Sequence, residues 1–149
     1  MNPNFIRSNS KVIAVDFDGT IVTHRYPEIG KPVPGALAII MALQRKGHRL
    51  ILWTYREGRY LEEAVAYCRT HGIEFYAVNE NYPGEAQQGN YPRKLNADIF
   101  IDDRNAGGLM GWKEIWQWLY PEEDRSYATH QKASVLSVLK RLLFPTRKK

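Results

Sequence analysis

The sequence predicts an α/β protein, a three-layer α/β/α sandwich around a parallel, Rossmann-like sheet with no cap domain. Three observations carry the prediction. Short apolar runs at 12–15, 49–53, 75–78 and 99–101 alternate with stretches whose apolar residues recur at helical spacing. Alternation of that kind builds βαβ units, whose crossovers impose parallel strands covered on both faces. Three of the apolar runs also end on side chains that carry chemistry: Asp16 with Asp18, Thr54, and Asp102 with Asp103. A parallel sheet brings such ends to one edge, where ligands bind in open α/β folds.

The first strand, Val12 to Val15, runs straight into Asp16-Phe17-Asp18-Gly19-Thr20. Residues two apart on an extended chain project to the same side, so the two carboxylates can converge on one small volume. Anions that close repel unless a cation or a shared proton relieves them. A plain Asp-Gly turn uses the same residue types. Residues 21–33 then read as an irregular connection holding His24, Arg25, Tyr26, Pro27 and Gly30.

A helix is expected from about Pro34, with Ala36, Leu37, Ile40, Met41 and Leu43 on one face and Lys46-Gly47 closing it. Arg49 to Trp53 reads as a buried strand ending at Thr54. The next helix covers about Gly58 to His71, with Leu61, Ala64, Val65 and Cys68 inward, and Gly72 stops it. A short strand, Phe75 to Val78, follows. Residues 79–93 lack apolar periodicity and contain Asn-Tyr-Pro twice, so they form a long loop of the kind that serves as a lid or lies disordered. Ile99 to Ile101 is the last strand and Trp112 to Leu119 a Trp-rich helix. Trp112 and Trp116, four apart, point to core packing. An amphipathic helix is expected at about Ser134 to Leu143, packed on the domain or, as lesser alternatives, making a dimer contact or docking on a membrane.

The 149 residues suit one domain, with a core at about 11–120 and a C-terminal helix and basic tail at about 127–149. A lone cysteine, Cys68, excludes an internal disulfide and any CxxC metal knuckle, and its apolar neighbours point to a buried helix position. A polar start and no long uncharged apolar run favour a cytoplasmic protein without a spanning helix. The net charge of +5 is local: Lys140, Arg141, Arg147, Lys148 and Lys149 account for all of it. Such a tail can hold nucleic acid or an anionic membrane surface, though a solvated terminus is the simpler reading. His48, His71 and His130 have no metal-ligand spacing.

In these residues the chain resembles the haloacid dehalogenase superfamily of phosphohydrolases, as a small capless member. Its first motif is a strand followed by DxDGT, here residues 16–20; its second is a strand ending in Thr or Ser, here Thr54. A lysine upstream of the last strand comes next, for which Lys94 is the candidate with Arg93 competing, and an acidic pair ends the series, here Asp102-Asp103. The resemblance spans residues 12–103 and implies a Mg2+-dependent phosphatase. Asp16 would be the nucleophile, giving an aspartyl-phosphate that water hydrolyses. Asp18 would be the general acid/base. Asp16, the Asp18 backbone carbonyl, Asp102 and Asp103 (directly or through water) would hold Mg2+. Thr54 and Lys94 would hold the phosphoryl oxygens, with Gly19 letting backbone amides approach them.

Asp18 favours phosphate-ester hydrolysis over dehalogenation, because an alkoxide leaves with a proton and a halide does not. A phosphotransferase of the same family, a receiver-like phospho-acceptor and a non-catalytic binding domain are the alternatives. The partner is a phosphorylated substrate, small or large, since too little chain follows the first motif to build a cap. Arg56, Arg25 and Tyr26 are candidate substrate contacts, while His24 and Tyr82 read more simply as exposed loop residues.

Overall fold

The computed structural model describes residues 10–89 and 94–123. Arg93, the second Asn-Tyr-Pro, His130, the helix expected at 134–143 and the basic tail lie outside the described residues. The chain divides into two compact units, Met1–Trp112 and Lys113–Lys149.

The first unit is built on four strands, β1 (Val12–Val15), β2 (Arg49–Leu52), β3 (Ala77–Val78) and β4 (Ile99–Ile101). They form one sheet of order β3-β2-β1-β4, and every pairing is parallel. Helix α1 (Ala36–Arg45) links β1 to β2, and α2 (Gly58–Thr70) links β2 to β3. Helix α3 (Trp112–Leu119) begins at the end of this unit and continues into the second. Among the described residues no cap domain interrupts the series, so this is the Rossmann-like α/β fold that the alternation of periods predicts.

Both sheet faces are apolar because the strands, apart from the exposed Arg49 that opens β2, are apolar, as parallel strands between covering layers must be. Ile13, Val15, Leu50 and Leu52 point to one face and Ala14 and Ile51 to the other, and all are at most 1% exposed. Burying side chains of the Val, Leu and Ile class stabilises by about 1.5–3 kcal/mol each. The crossovers through α1 and α2 move in the same direction along the sheet, which puts both helices on one face by the right-handed rule. Their buried residues are Ala36, Ile40 and Leu43 from α1, and Ala64 and Cys68 from α2. On the other face Ala14, Ile51 and Ala77 cluster with Leu95, from the segment that returns from β3 to β4.

The helices begin and end close to where their sequences indicate. α1 starts two residues after Pro34, at Ala36, and stops at Arg45. Gly47 follows with φ +83°, a left-handed conformation that glycine adopts without a Cβ clash. Strand β3 is shorter than its apolar run, yet pairing begins one residue earlier, with Tyr76 N–H donating to Leu50 O at 2.7 Å.

The connection 21–33 departs from the irregular loop expected. Val22 and Pro32 pair in an antiparallel bridge. Thr23 N–H donates to Lys31 O at 2.8 Å and Val33 N–H to Ile21 O at 2.9 Å. These bonds make 21–33 a flap with His24 to Glu28 at its tip. Its order was hidden because it rests on backbone pairing rather than on apolar periodicity.

Register decides where chemistry collects. Val15 lies beside Leu52 on one side and Ile101 on the other, and Leu52 lies beside Val78. The residues that follow these four, Asp16, Trp53-Thr54, Asn79 and Asp102, therefore leave the sheet at one edge.

Candidate active site

Asp16 leaves β1 with its N–H still in the ladder, donating to Ile101 O at 3.0 Å. Asp102 and Asp103 leave β4 on the neighbouring strand. One carboxylate oxygen from each of the three lies within 4.8 Å of the others. Thr20 ties the strand ends together: its buried hydroxyl donates to Asp16 Oδ2 at 3.2 Å and accepts from Asp103 N–H at 3.0 Å. Thr20 is itself held by the buried Trp112, whose Nε1–H donates to its carbonyl at 2.9 Å.

Three carboxylates at this spacing are electrostatically unsatisfied. Burial pushes the Asp16 carboxyl up to about 6 from 3.8, and the charges of Asp102 and Asp103 push the same way. Hydrogen bonds from Phe17 N–H and Thr20 oppose the rise without cancelling it. Asp103 Oδ1 is buried with no hydrogen-bond partner, an arrangement that leaves a polar atom open to an ion. A hard divalent cation of the Mg2+ class fits this donor set, which is all carboxylate oxygen and already partly dehydrated.

The other Asp103 oxygen, Oδ2, lies 2.8 Å from His24 Nε2 on the flap. His24, read from sequence as a loop residue, therefore belongs to the acidic site, and the flap pairing that carries it there was the missing signal. Gly19 makes the approach possible. A Cβ at residue 19 would run into both Asp103 Oδ2 and His24 Nε2, and its φ of +94° is one that residues with a side chain rarely adopt. The Gly19 N–H donates to Val22 O at 2.6 Å, so this amide serves the flap instead of a phosphate. What Gly19 supplies to the acidic pair is space.

Asp18 faces the same cavity but has a different partner. Arg56 donates from Nε to Asp18 Oδ2 at 2.6 Å and from Nη2 to Asp18 Oδ1 at 2.8 Å. Two further guanidinium donors, one on Nη1 and one on Nη2, reach Pro27 O and Glu28 O, both at 2.9 Å. The guanidinium lies between the Phe17 ring and the Tyr26 ring, 4.9 and 5.3 Å from their centroids. Arg56 is fully buried. Arg56, the candidate substrate contact, lines the cavity and also acts as a structural clamp, because four of its five N–H donors go to the first motif and the flap tip.

Thr54 is fixed from β3. Asn79 accepts from Thr54 N–H at 2.8 Å and donates to Thr54 O at 3.0 Å, from a backbone with φ +55°. The Thr54 hydroxyl accepts Arg56 N–H at 3.3 Å and keeps its own proton to donate. Asn79 belongs to no motif of the sequence, and its place directly after an apolar strand is the signal it gives.

These groups line one open cavity of about 660 Å³, whose walls include Asp16, Asp18, His24, Tyr26, Thr54, Arg56, Asp102 and Arg104. The structure thus brings together Asp16, Asp18, Thr54 and Asp102, and places Gly19 and Asp103 beside them. Arg25 and Lys94 do not line the cavity. Lys94 Nζ stands 5.8 Å from the Phe100 ring centroid, over the sheet face that carries Leu95. Tyr82 is also away from the cavity, its hydroxyl 3.4 Å from Gln88 Oε1. Cys68 is buried as expected, and burial pushes its thiol up to about 12.

No protein-family model matches this chain, and no curated protein does either. A solved structure, that of a conserved protein from Bacteroides thetaiotaomicron, superposes with a TM-score of 0.70. The two chains are 52% identical, and the match covers 80% of this chain and 96% of the other. At that identity and coverage, the chain belongs to the same family as this conserved Bacteroides thetaiotaomicron protein.

Proposed function

We propose that this protein is a Mg2+-dependent phosphohydrolase of the haloacid dehalogenase type, cleaving phosphate monoesters through an aspartyl-phosphate on Asp16. The observation that carries the proposal is the carboxylate cluster of Asp16, Asp102 and Asp103 at the carboxyl edge of the sheet, with a buried oxygen of Asp103 left open. Asp16, Asp102 and Asp103 would hold the cation, together with the Asp18 backbone carbonyl. When bound, the cation would neutralise charge between the carboxylates and the substrate phosphate.

In the first half-reaction an Asp16 oxygen attacks phosphorus, and the bond from phosphorus to the ester oxygen breaks. Asp18, in its acid form, gives its proton to the leaving alkoxide. In the second half a water attacks phosphorus, Asp18 takes the water's proton, and the bond from Asp16 to phosphorus breaks. Thr54 donates its hydroxyl to a phosphoryl oxygen from a backbone that Asn79 holds still.

Turnover of p-nitrophenyl phosphate tests the proposal. The expected result is phosphate release that requires Mg2+ and is lost in Asp16→Asn. Undiminished release by Asp16→Asn would overturn it. Among the described residues no helix is long and apolar enough to cross a membrane.

A further inference from the structure

The cavity is larger than a phosphate group requires, and its wall is partly aromatic. At about 660 Å³ the open cavity has the volume of a small-molecule site. Tyr26, Trp53 and Tyr55 line it together with the carboxylates. Two of these rings are already engaged. Tyr26 covers Arg56 and meets the Tyr60 ring edge-on at 5.6 Å, while Trp53 packs partly against the Ala14–Ile51 cluster.

Tyr55 is different. It is 84% exposed, and neither its ring nor its hydroxyl has a partner among the described residues. A single exposed aromatic residue on an open face is ordinary. This one lines the cavity and sits on a backbone fixed from both sides. Asn79 holds Thr54 N–H and C=O before it, and Arg56 after it is clamped to Asp18, Pro27 and Glu28. A tyrosine side chain has few torsions to order, so a ring on a fixed backbone stacks with little loss of entropy.

Resting on the phosphohydrolase assignment, we infer that the substrate is a phosphate monoester whose alcohol carries a flat aromatic ring system, of nucleoside monophosphate size. Tyr55 is its specificity-determining residue. The phosphate lies at the Asp16, Asp102 and Asp103 cluster, the sugar spans the cavity, and the base stacks on the Tyr55 ring at the rim. A stacked base contributes through the face of its π-system, so the preference extends over purines and pyrimidines alike.

The test measures KM and kcat with Mg2+ for purine and pyrimidine nucleoside monophosphates, phenyl phosphate and glycerol phosphate, using wild type, Tyr55→Ala and Tyr55→Phe. Wild type is expected to prefer nucleoside monophosphates over glycerol phosphate by about tenfold or more in kcat/KM. Tyr55→Ala should raise KM for the nucleotides by about tenfold, a typical loss of one stacked base, and leave unchanged KM for glycerol phosphate and kcat for the nucleotides and for glycerol phosphate. Tyr55→Phe should behave as wild type, since the ring and not the hydroxyl is used. A KM change shared equally by nucleotides and glycerol phosphate, or absent from both, overturns the inference. A response confined to phenyl phosphate overturns the nucleoside size. If p-nitrophenyl phosphate is cleaved in an Asp16-dependent way while Tyr55→Ala fails to discriminate, this inference alone falls. If no ester is cleaved, the phosphohydrolase assignment falls with it.

Discussion

Arg56 grips both carboxylate oxygens of Asp18, at 2.6 and 2.8 Å, from a position 38 residues further along the chain. The Arg56 side chain is fully buried and that of Asp18 is 15% exposed. Removing one partner of such a pair leaves the other charge desolvated and unpaired, which destabilises by about 3–5 kcal/mol. Arg56→Ala also strips donors from the Pro27 and Glu28 carbonyls. Urea unfolding should therefore place Arg56→Ala below wild type by at least that amount. Arg56→Lys should fall between the two, because an ammonium cannot reproduce the planar fork. A loss under about 1 kcal/mol for Arg56→Ala would contradict the clamp.

If Asp18 protonates the leaving oxygen, the effect of removing it depends on the leaving group. Asp18→Asn should lower kcat for an alkyl phosphate by about 10²–10⁴-fold, the usual range for general acid–base catalysis. With p-nitrophenyl phosphate, whose phenolate leaves without a proton, the first half-reaction should be far less affected. Burst kinetics separate the halves: the variant should still release p-nitrophenolate in a first turnover and then stall. Equal losses with both esters in a single turnover would remove Asp18 from the acid role.

The raised Asp16 carboxyl makes a prediction about stability. Its folded value, about 6, lies above the ordinary 3.8, so the folded state holds the extra proton between these values. Its contribution to stability is fully present below about pH 4 and is lost as pH rises through 6. Without a cation, Asp16→Asn should raise Tm at pH 7.5 by about 2–4 °C, the shift that roughly 1 kcal/mol gives in a domain of this size. Magnesium should raise the wild-type Tm more at pH 7.5 than at pH 5, where the cation competes with the proton. A lower Tm for Asp16→Asn at pH 7.5 would contradict the crowding of the three carboxylates.

Gly19→Ala tests the approach of the flap to the acidic pair. The added Cβ meets Asp103 and His24 on a backbone with φ +94°. Strain of this kind costs about 1–3 kcal/mol. The variant should lose stability by that amount and should also bind Mg2+ more weakly in calorimetry, because Asp103 must move. Unchanged magnesium affinity would separate Gly19 from the site.

The strand ends were legible because their signal is local. An apolar run that stops at Asp16, Thr54 or Asp102 declares both the strand and its chemistry, and parallel pairing supplies the convergence. The roles of Arg56, His24 and Asn79 were not legible, since each depends on a partner far away in sequence that an ordered flap or a neighbouring strand brings near. The sequence marked Arg56 as a cation beside Thr54 without revealing that its donors are used by Asp18, Pro27 and Glu28. Lys94 illustrates the converse. Its order in the chain matches a phosphate-binding lysine, whereas its ammonium stands over Phe100.

The measurement that bears most directly on the central claim is chemical trapping of the phosphorylated intermediate. Wild-type protein mixed with p-nitrophenyl phosphate and Mg2+, quenched and treated with borohydride, should carry homoserine at residue 16, because the reagent reduces an acyl phosphate and leaves a free carboxylate untouched. Omitting Mg2+ should abolish the conversion. Steady turnover with Asp16 recovered unmodified, or with conversion at a different aspartate, would contradict Asp16 as the nucleophile.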